Sequence, residues 1–421
     1  MTKKRNSPTA DSAKSGKGGG GTLSDYVELN PRVTLAKNTS VPFVSMDIIV
    51  PGTRKVYPVQ ERPATGSGSK FEPRDTLFAR ITPCLENGKI AQYAGERPGI
   101  GSTEFFVLRA RPGLSDPDFV YYFANKQEVR SAAEKSMSGA SGRQRAIISS
   151  LSDFECEFPP LPTQKRIAGI LSAYDDLIEN CQRRISILEK MARGLYREWF
   201  VHFRFPGHEG HPRVNSPLGE IPEGWEVRRV SDSFDIVGGG TPFRKEKEFW
   251  VGGSIQWFSP SDLTSAGTMF IEDSRDHITE LGLAKSSARK FAARSVMLTS
   301  RATIGAIAIN TCEACTNQGF ITCLPNERVP LFFLFHWLKQ NVPTFQRMAS
   351  GATFKEISRG VFKTIEFLQP LESLIQLFEL SITPMAEQIL TLQRKIQTLR
   401  HTRDLLLPRL LSGQIEVGEE E

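Results

Sequence analysis

Ser138-Gly139-Ala140-Ser141-Gly142-Arg143 is followed by Pro160-Leu161 and then by a ladder of nonpolar residues: Leu171, Tyr174, Ile178, Cys181, Ile185, Leu188, Ala192, Leu195 and Trp199. The same order returns later in the chain. Ser350-Gly351-Ala352-Thr353-Phe354-Lys355 precedes Pro370-Leu371, and a second ladder follows: Ile375, Phe378, Ile382, Met385, Ile389, Leu392, Ile396, Leu399 and Leu406. Upstream, Asp75-Thr76-Leu77-Phe78-Ala79-Arg80 resembles Ser295-Val296-Met297-Leu298-Thr299-Ser300-Arg301. Each match is short, but their shared order marks an internal duplication with a step of roughly 210 residues.

Spacing in the first ladder alternates three and four without a break, which is the seam of a coiled-coil helix. In the second, Arg403 interrupts the ladder near its end, and Pro384 is expected to kink the helix or to mark where its regular part begins. Each helix would be roughly 50 Å long at 1.5 Å per residue. A nonpolar stripe does not stay in water, so the two stripes bury each other or each packs on its own globular domain. The 3.5-residue period favours mutual pairing.

The stretches between the ladders read differently. Short β-rich runs such as Phe105-Phe106-Val107-Leu108 and residues 304–309 are separated by Gly and Pro turns, with helical patches at 117–135 and 330–348. The expected fold is α+β: two mixed α/β globular domains separated by two long coiled-coil helices. The boundaries read as a disordered tail 1–22, a first domain 23–160, a central helix 161–203, a linker 204–221, a second domain 222–370, a C-terminal helix 371–412 and an acidic tail 413–421.

The 421 residues are too many for one ordinary core and suit two domains with connectors. No run of eighteen nonpolar residues suggests a membrane span, and the N-terminus has no secretory core, so the cytoplasm is the expected location. The net charge is +6. Five basic residues and one acidic residue up to Thr22 are cancelled by four glutamates after Ser412, so the body keeps the excess. That permits nucleic-acid binding. The six cysteines suit a reduced compartment. Cys312-Glu-Ala-Cys315 is half a zinc site without evident partners, and no bound metal is expected.

Catalytic signatures for DNA chemistry are missing. There is no phosphate-wrapping GxxxxGK[ST], no Asn/Asp-Pro-Pro-Tyr/Phe run that grips a flipped base, and no Pro-Asp…(Asp/Glu)-x-Lys nuclease core. No catalytic residue is therefore assigned, and the chain reads as a binding protein.

Duplex affinity comes mainly from Lys and Arg on phosphates, and sequence discrimination from donors that reach base edges. Candidates in the first domain are Arg80, Thr82, Asn87, Lys89, Arg143 and Arg145. In the second they are Thr241, Arg244, Lys245, Arg301, Thr303, Gln318, Lys355 and Arg359. The duplicated motif sets Arg143 and Lys355 at the same place, a cation twice. Lys285, Arg289, Lys290 and Arg294 form a further basic stretch.

Together these residues resemble the specificity subunits of type I restriction–modification enzymes, over nearly all the chain after the tail. Tyr26-Val27-Glu28-Leu29-Asn30-Pro31 and Ile221-Pro222-Glu223-Gly224-Trp225 look like the openings of two target recognition domains. Residues 160–168 and Leu195-Tyr196-Arg197-Glu198-Trp199-Phe200 resemble the entry and exit of the central helix, and residues 402–413 the C-terminal helix end. The resemblance implies that the two coiled-coil helices are antiparallel, with one recognition domain at each end, and that the chain binds double-stranded DNA together with two methyltransferase (M) subunits and with restriction/translocase (R) subunits. S-adenosylmethionine, ATP and Mg2+ would sit on those partners and none on this chain. It further implies a bipartite, asymmetric DNA target, with two half-sites about one helical turn apart. The alternative is a standalone DNA-binding regulator without enzyme partners.

Overall fold

Thr76–Ala79 and Val296–Thr299 are the two halves of the upstream match, and both are buried at every position. A strand with two covered faces belongs in the middle of a sheet, and each of these is the third of five strands. The computed structural model describes residues 20–36, 39–64, 67–139, 142–351 and 355–418. Its contacts divide the chain into one unit of residues 1–180 with 395–421 and a second of residues 181–394.

In the first unit the sheet runs Val27–Leu29, Phe105–Ala110, Thr76–Ala79, Ile90–Tyr93, Lys55–Val56. In the second it runs Asp235–Gly238, Phe320–Leu324, Val296–Thr299, Ile307–Asn310, Phe270–Ile271. In both, every pairing is antiparallel except the last, which is parallel. Registers match as well: Ala79 lies opposite Phe105, and Thr299 opposite Phe320. The duplication is thus one of topology, although few side chains are shared.

A smaller sheet accompanies each. In the first unit it has four strands, in the order Gln60–Pro63, Ser40–Val44, Gly99–Gly101, Ser69–Phe71. In the second it has three, in the order Asp276–Ile278, Ile255–Phe258, Ala314–Thr316, and a lone bridge from Phe291 to Ala314 stands where the fourth strand would be.

The sequence's helical patches lie on the larger sheets. Residues 117–135 form two helices, Pro117–Ala124 and Gln127–Lys135, the first capped by the Asp116 carboxylate on the amides of Asp118 and Phe119. Residues 331–348 form a single helix, Leu331–Met348.

The two ladders become helices Leu161–Phe200 and Glu372–Leu411. Within the first unit, Leu171 and Leu410 share one core with Phe119, Phe123 and Phe158. Arg166 donates to the Val417 carbonyl at 3.2 Å, while Asp175 pairs with Arg403. Partner numbers fall as the helix advances, so these segments run antiparallel. Within the second unit, Tyr196, Trp199 and Phe200 all pack on Phe378. That core also takes in Phe333 and Trp337 from the neighbouring helix. The stripes therefore do both things that were set as alternatives: they meet each other and cover a domain core.

Four expectations change. The helix Glu372–Leu411 begins well before Pro384 and continues through it, so proline does not mark its start. Proline lacks the N–H that would bond the carbonyl four residues back, and that residue, Leu380, is 73% exposed, leaving its turn open to water. Arg403 does not interrupt the stripe from outside; it is buried, with Asp175 as its partner. The predicted disordered tail ends earlier than Thr22, because Gly21–Thr22 pairs with Glu155–Cys156. The rest of that tail, residues 1–19, lies outside the described residues, as do the last three residues of the acidic tail. Inside the stretch read as a linker, Arg213–Ser216 and Gly219–Pro222 form a hairpin.

Candidate nucleic-acid interface

The strand-end motifs and the Ser-Gly motifs, far apart in sequence, meet in each unit. In the first, the Ala146 amide donates to the Arg80 carbonyl at 2.8 Å and the Thr82 amide to the Gln144 carbonyl at 3.0 Å. In the second, the Ile357 amide donates to Ser300 at 3.0 Å and the Ala302 amide to Lys355 at 3.0 Å. Single bridges complete the pattern: Ile81 with Arg145 and Ser138 with Arg145, then Arg301 with Glu356 and Ser350 with Glu356. Gly139 and Gly351 turn the chain at φ 123° and 122°, a region that side chains disfavour, which accounts for the repeated Ser-Gly.

A third loop joins each cluster. The Arg80 amide donates to Glu104 at 3.0 Å, and Ser300 to Gly319 at 2.8 Å. The turn before it is closed by a side chain in both cases: Ser102 Oγ accepts from the Glu104 amide, and Asn317 Oδ1 from the Gly319 amide.

This register corrects one expectation. Gln144, not Arg143, corresponds to Lys355, because the two carbonyls take the same hydrogen bond. The repeated cation is therefore not a repeated position. The loop in the second unit is one residue shorter, a difference that motif alignment alone does not show.

In the first unit Arg143 is exposed at the rim of the cluster. Arg145 is held by Glu104 through bonds of 2.7 and 3.0 Å, and Arg80 reaches the same carboxylate at 3.3 Å. Hydrogen bonds from Arg145 hold the Glu104 carboxyl below its ordinary range. Thr82 Oγ1 accepts from the Gln144 amide at 3.0 Å, so it is part of the scaffold. Two candidates lie apart from the cluster. Asn87 lines a separate cavity with Gly52, Asn125, Arg130 and Arg403, and the Lys89 ammonium donates to the Met46 carbonyl at 2.8 Å.

In the second unit Gly239, Arg301, Gln318, Glu356 and Arg359 line one groove. Thr241 joins it by donating to Gln318 Oε1 at 2.6 Å. Lys355 and Thr303 are exposed beside it. The glycines are required here: a Cβ on Gly239 would lie 2.0 Å from the Asn317 carbonyl oxygen, and one on Gly238 would lie 2.4 Å from the Arg359 guanidinium. Arg244 serves the fold, since its guanidinium stacks on Trp250 and Trp257 at 3.9 and 4.6 Å and pairs with Asp276 at 2.8 Å. Lys245 next to it is exposed.

Within the basic stretch, Lys290 pairs with Glu313 at 3.3 Å and Arg294 with Glu387 at 2.7 Å. Lys285 and Arg289 are exposed. Sequence reasoning missed Glu104 and Glu356, the acids that aim neighbouring arginines. A lone acid in a basic region carries no signal until the fold brings its partner near. Cys312 is exposed and Cys315 buried, with burial pushing the Cys315 thiol up to about 12. No cluster of metal-binding side chains occurs among the described residues, and no helix there is long and nonpolar enough to cross a membrane.

Two α/β units with one topology, each gathering three loops into an exposed polar cluster, define a duplicated recognition protein. The family model for the type I restriction modification DNA specificity domain matches residues 74–190 and 222–373. The chain belongs to this family, whose members are the non-catalytic specificity subunits of these systems. It is 24% identical to the type I restriction enzyme HindI specificity subunit of Haemophilus influenzae, over 81% of this chain and 86% of that one. It is 27% identical to the MjaIX specificity subunit of Methanocaldococcus jannaschii, over 72% and 70%. The crystal structure of a type I restriction–modification S subunit from M. genitalium shares the fold, with a TM-score of 0.56, 16% identity, and coverage of 95% of this chain and 98% of that one.

Proposed function

We propose that this chain reads a two-part, asymmetric DNA sequence, one part with each unit, and directs adenine methylation and ATP-dependent cleavage by partner subunits in the cytoplasm. One observation supports this above the others. The same three-loop scaffold is built twice, while the side chains it presents differ: Arg143, Gln144 and Arg145 in one unit, and Lys355, Glu356, Gln318 and Arg359 in the other. Equal frames with unequal donors and acceptors suit half-sites of unequal sequence. S-adenosylmethionine, ATP and Mg2+ then belong to the two methyltransferase subunits and the restriction subunits.

The test is to assemble the complex with its methyltransferase subunits and map methylated adenines by single-molecule sequencing. Two unlike half-sites with an unread spacer are expected. Arg301→Ala with Lys355→Ala should weaken binding and relax one half-site only, leaving the other unchanged. A continuous or palindromic motif, or relaxation of both halves together, would overturn the reading.

A further inference from the structure

The loop from Gly239 to Glu246 is pinned along its length, yet it leaves one large nonpolar side chain in water. Phe243 is 65% exposed. Its carbonyl accepts from Trp250 Nε1 at 3.2 Å and from the Glu246 amide at 3.1 Å. Three residues earlier, the Gly240 carbonyl accepts from Trp257 Nε1 at 2.9 Å. Between them, Thr241 is tied to Gln318 of the groove at 2.6 Å. The stacked and paired Arg244 fixes the chain on the other side. These bonds fix the main chain of residue 243 at the surface, where its ring lies open to solvent.

Lys245 and Lys247 are exposed beside the ring, alternating with exposed Glu246 and Glu248, and the loop's Thr241 adjoins the groove lined by Arg301, Gln318 and Arg359. The alternating charges leave the loop without a net sign, so the ring is assigned by its place beside that groove. Beside a groove that faces a duplex, a ring without donors or acceptors takes the one nonpolar feature on the major-groove base edges, the thymine methyl, while the two lysines reach phosphates.

We infer that Phe243 is a specificity-determining residue that packs on a thymine methyl in the half-site read by the second unit. The inference rests on the DNA-reading function proposed above and adds the chemistry of one contact. Lys245 and Lys247 then hold the backbone on either side of that base.

The test uses the complex with its methyltransferase subunits and duplexes carrying its methylated motif, with each thymine of the second unit's half-site replaced in turn by deoxyuridine, which lacks only the methyl. For the unaltered protein, one replacement should weaken binding roughly fourfold, the worth of one buried methyl. Phe243→Ala should bind the thymine duplex more weakly and lose that discrimination, and Phe243→Leu should keep part of it. Because the ring is exposed, the melting midpoint of both variants should match the parent. Lys245→Ala should lower the salt dependence without changing thymine-over-uracil preference. The inference is overturned if no thymine position is sensitive to its methyl, or if Phe243→Ala retains the sensitivity. Should that happen while Arg301→Ala with Lys355→Ala still relaxes the half-site, the broader reading stands. If those two also change nothing, the DNA-reading assignment of this unit fails with it.

Discussion

Where the long helices meet the first unit's core, the contact is charged; at the corresponding place in the second unit it is nonpolar. In the register that matches Arg145 with Glu356, Asp175 corresponds to Ala386, and the same step taken backwards carries Arg403 to Ala192. Arg403 is buried and bonded to Asp175, to the Gly52 carbonyl at 3.0 Å and to Asp404 at 2.8 Å. The other Asp175 oxygen accepts from the Tyr122 hydroxyl at 2.5 Å. In the second unit Ala192 and Ala386 are fully buried among aromatic rings. His336, set on its helix as Tyr122 is on its own, stacks on Tyr196, and its Nε2 has no hydrogen-bond partner among the described residues. Burial pushes its pKa down to about 3, so the ring stays neutral. One frame thus tolerates an ion pair or a pair of methyl groups, provided that both members change together.

Breaking that pairing should produce the largest effect. Arg403→Ala leaves the buried Asp175 carboxylate without its paired cation, which costs about 3–5 kcal/mol, and Asp175→Ala costs less because Asp404 still pairs with Arg403. Denaturant unfolding should show this loss, with hydrogen exchange placing it in the first unit. The double variant imitates the second unit and should recover more than half of the loss. If it is as unstable as the worse single variant, the equivalence with Ala192 and Ala386 is wrong.

A second contrast concerns the helices that start at Pro117 and Leu331. The first has its own cap, Asp116, whereas the second begins after Pro330, which has no side-chain acceptor. There the long helix supplies one: Glu379 accepts from the Phe333 amide at 2.6 Å. Burial raises the Glu379 carboxyl from 4.5 to about 7. Its protonated form is therefore favoured on folding, and stability present below pH 4.5 is lost as pH rises through 7. Glu379→Gln keeps an acceptor and removes the titration. Unfolding free energies at pH 5 and pH 8 should lie closer together in that variant than in the parent. An unchanged pH slope would show that Glu379 does not carry it.

The smallest effect belongs to the ordinary cap. Asp116→Ala should cost about 1 kcal/mol, seen as a lower melting midpoint with unchanged DNA affinity. A loss no larger than that of an exposed substitution would mean that Gln164, whose side chain accepts from the Asp116 amide at 3.0 Å, holds the helix start alone.

Much of this was legible in the chain. The two ladders specify helices because a 3.5-residue period has one regular solution, and Leu171, Ile178, Cys181, Phe378, Ile382 and Ile389 are all buried. The paired Ser-Gly motifs located the loops of the candidate interface because a positive φ demands glycine. Side chains within those loops were harder to read. Arg80, Arg145 and Arg244 look like free cations in sequence and are held by Glu104, Asp276 and tryptophan rings. Phe243 drew no attention because a phenylalanine is usually buried.

By itself, then, the sequence determined periodicity, duplication and turn positions, all of which depend on residues close along the chain. Tertiary structure decided which cations are free, which residue of one loop matches which of the other, and whether Arg403 breaks a stripe or completes it. Those outcomes depend on partners up to 228 residues away, such as Asp175 for Arg403. A charge is neutralised by whatever the fold places within a few ångströms, and no local pattern records that distance.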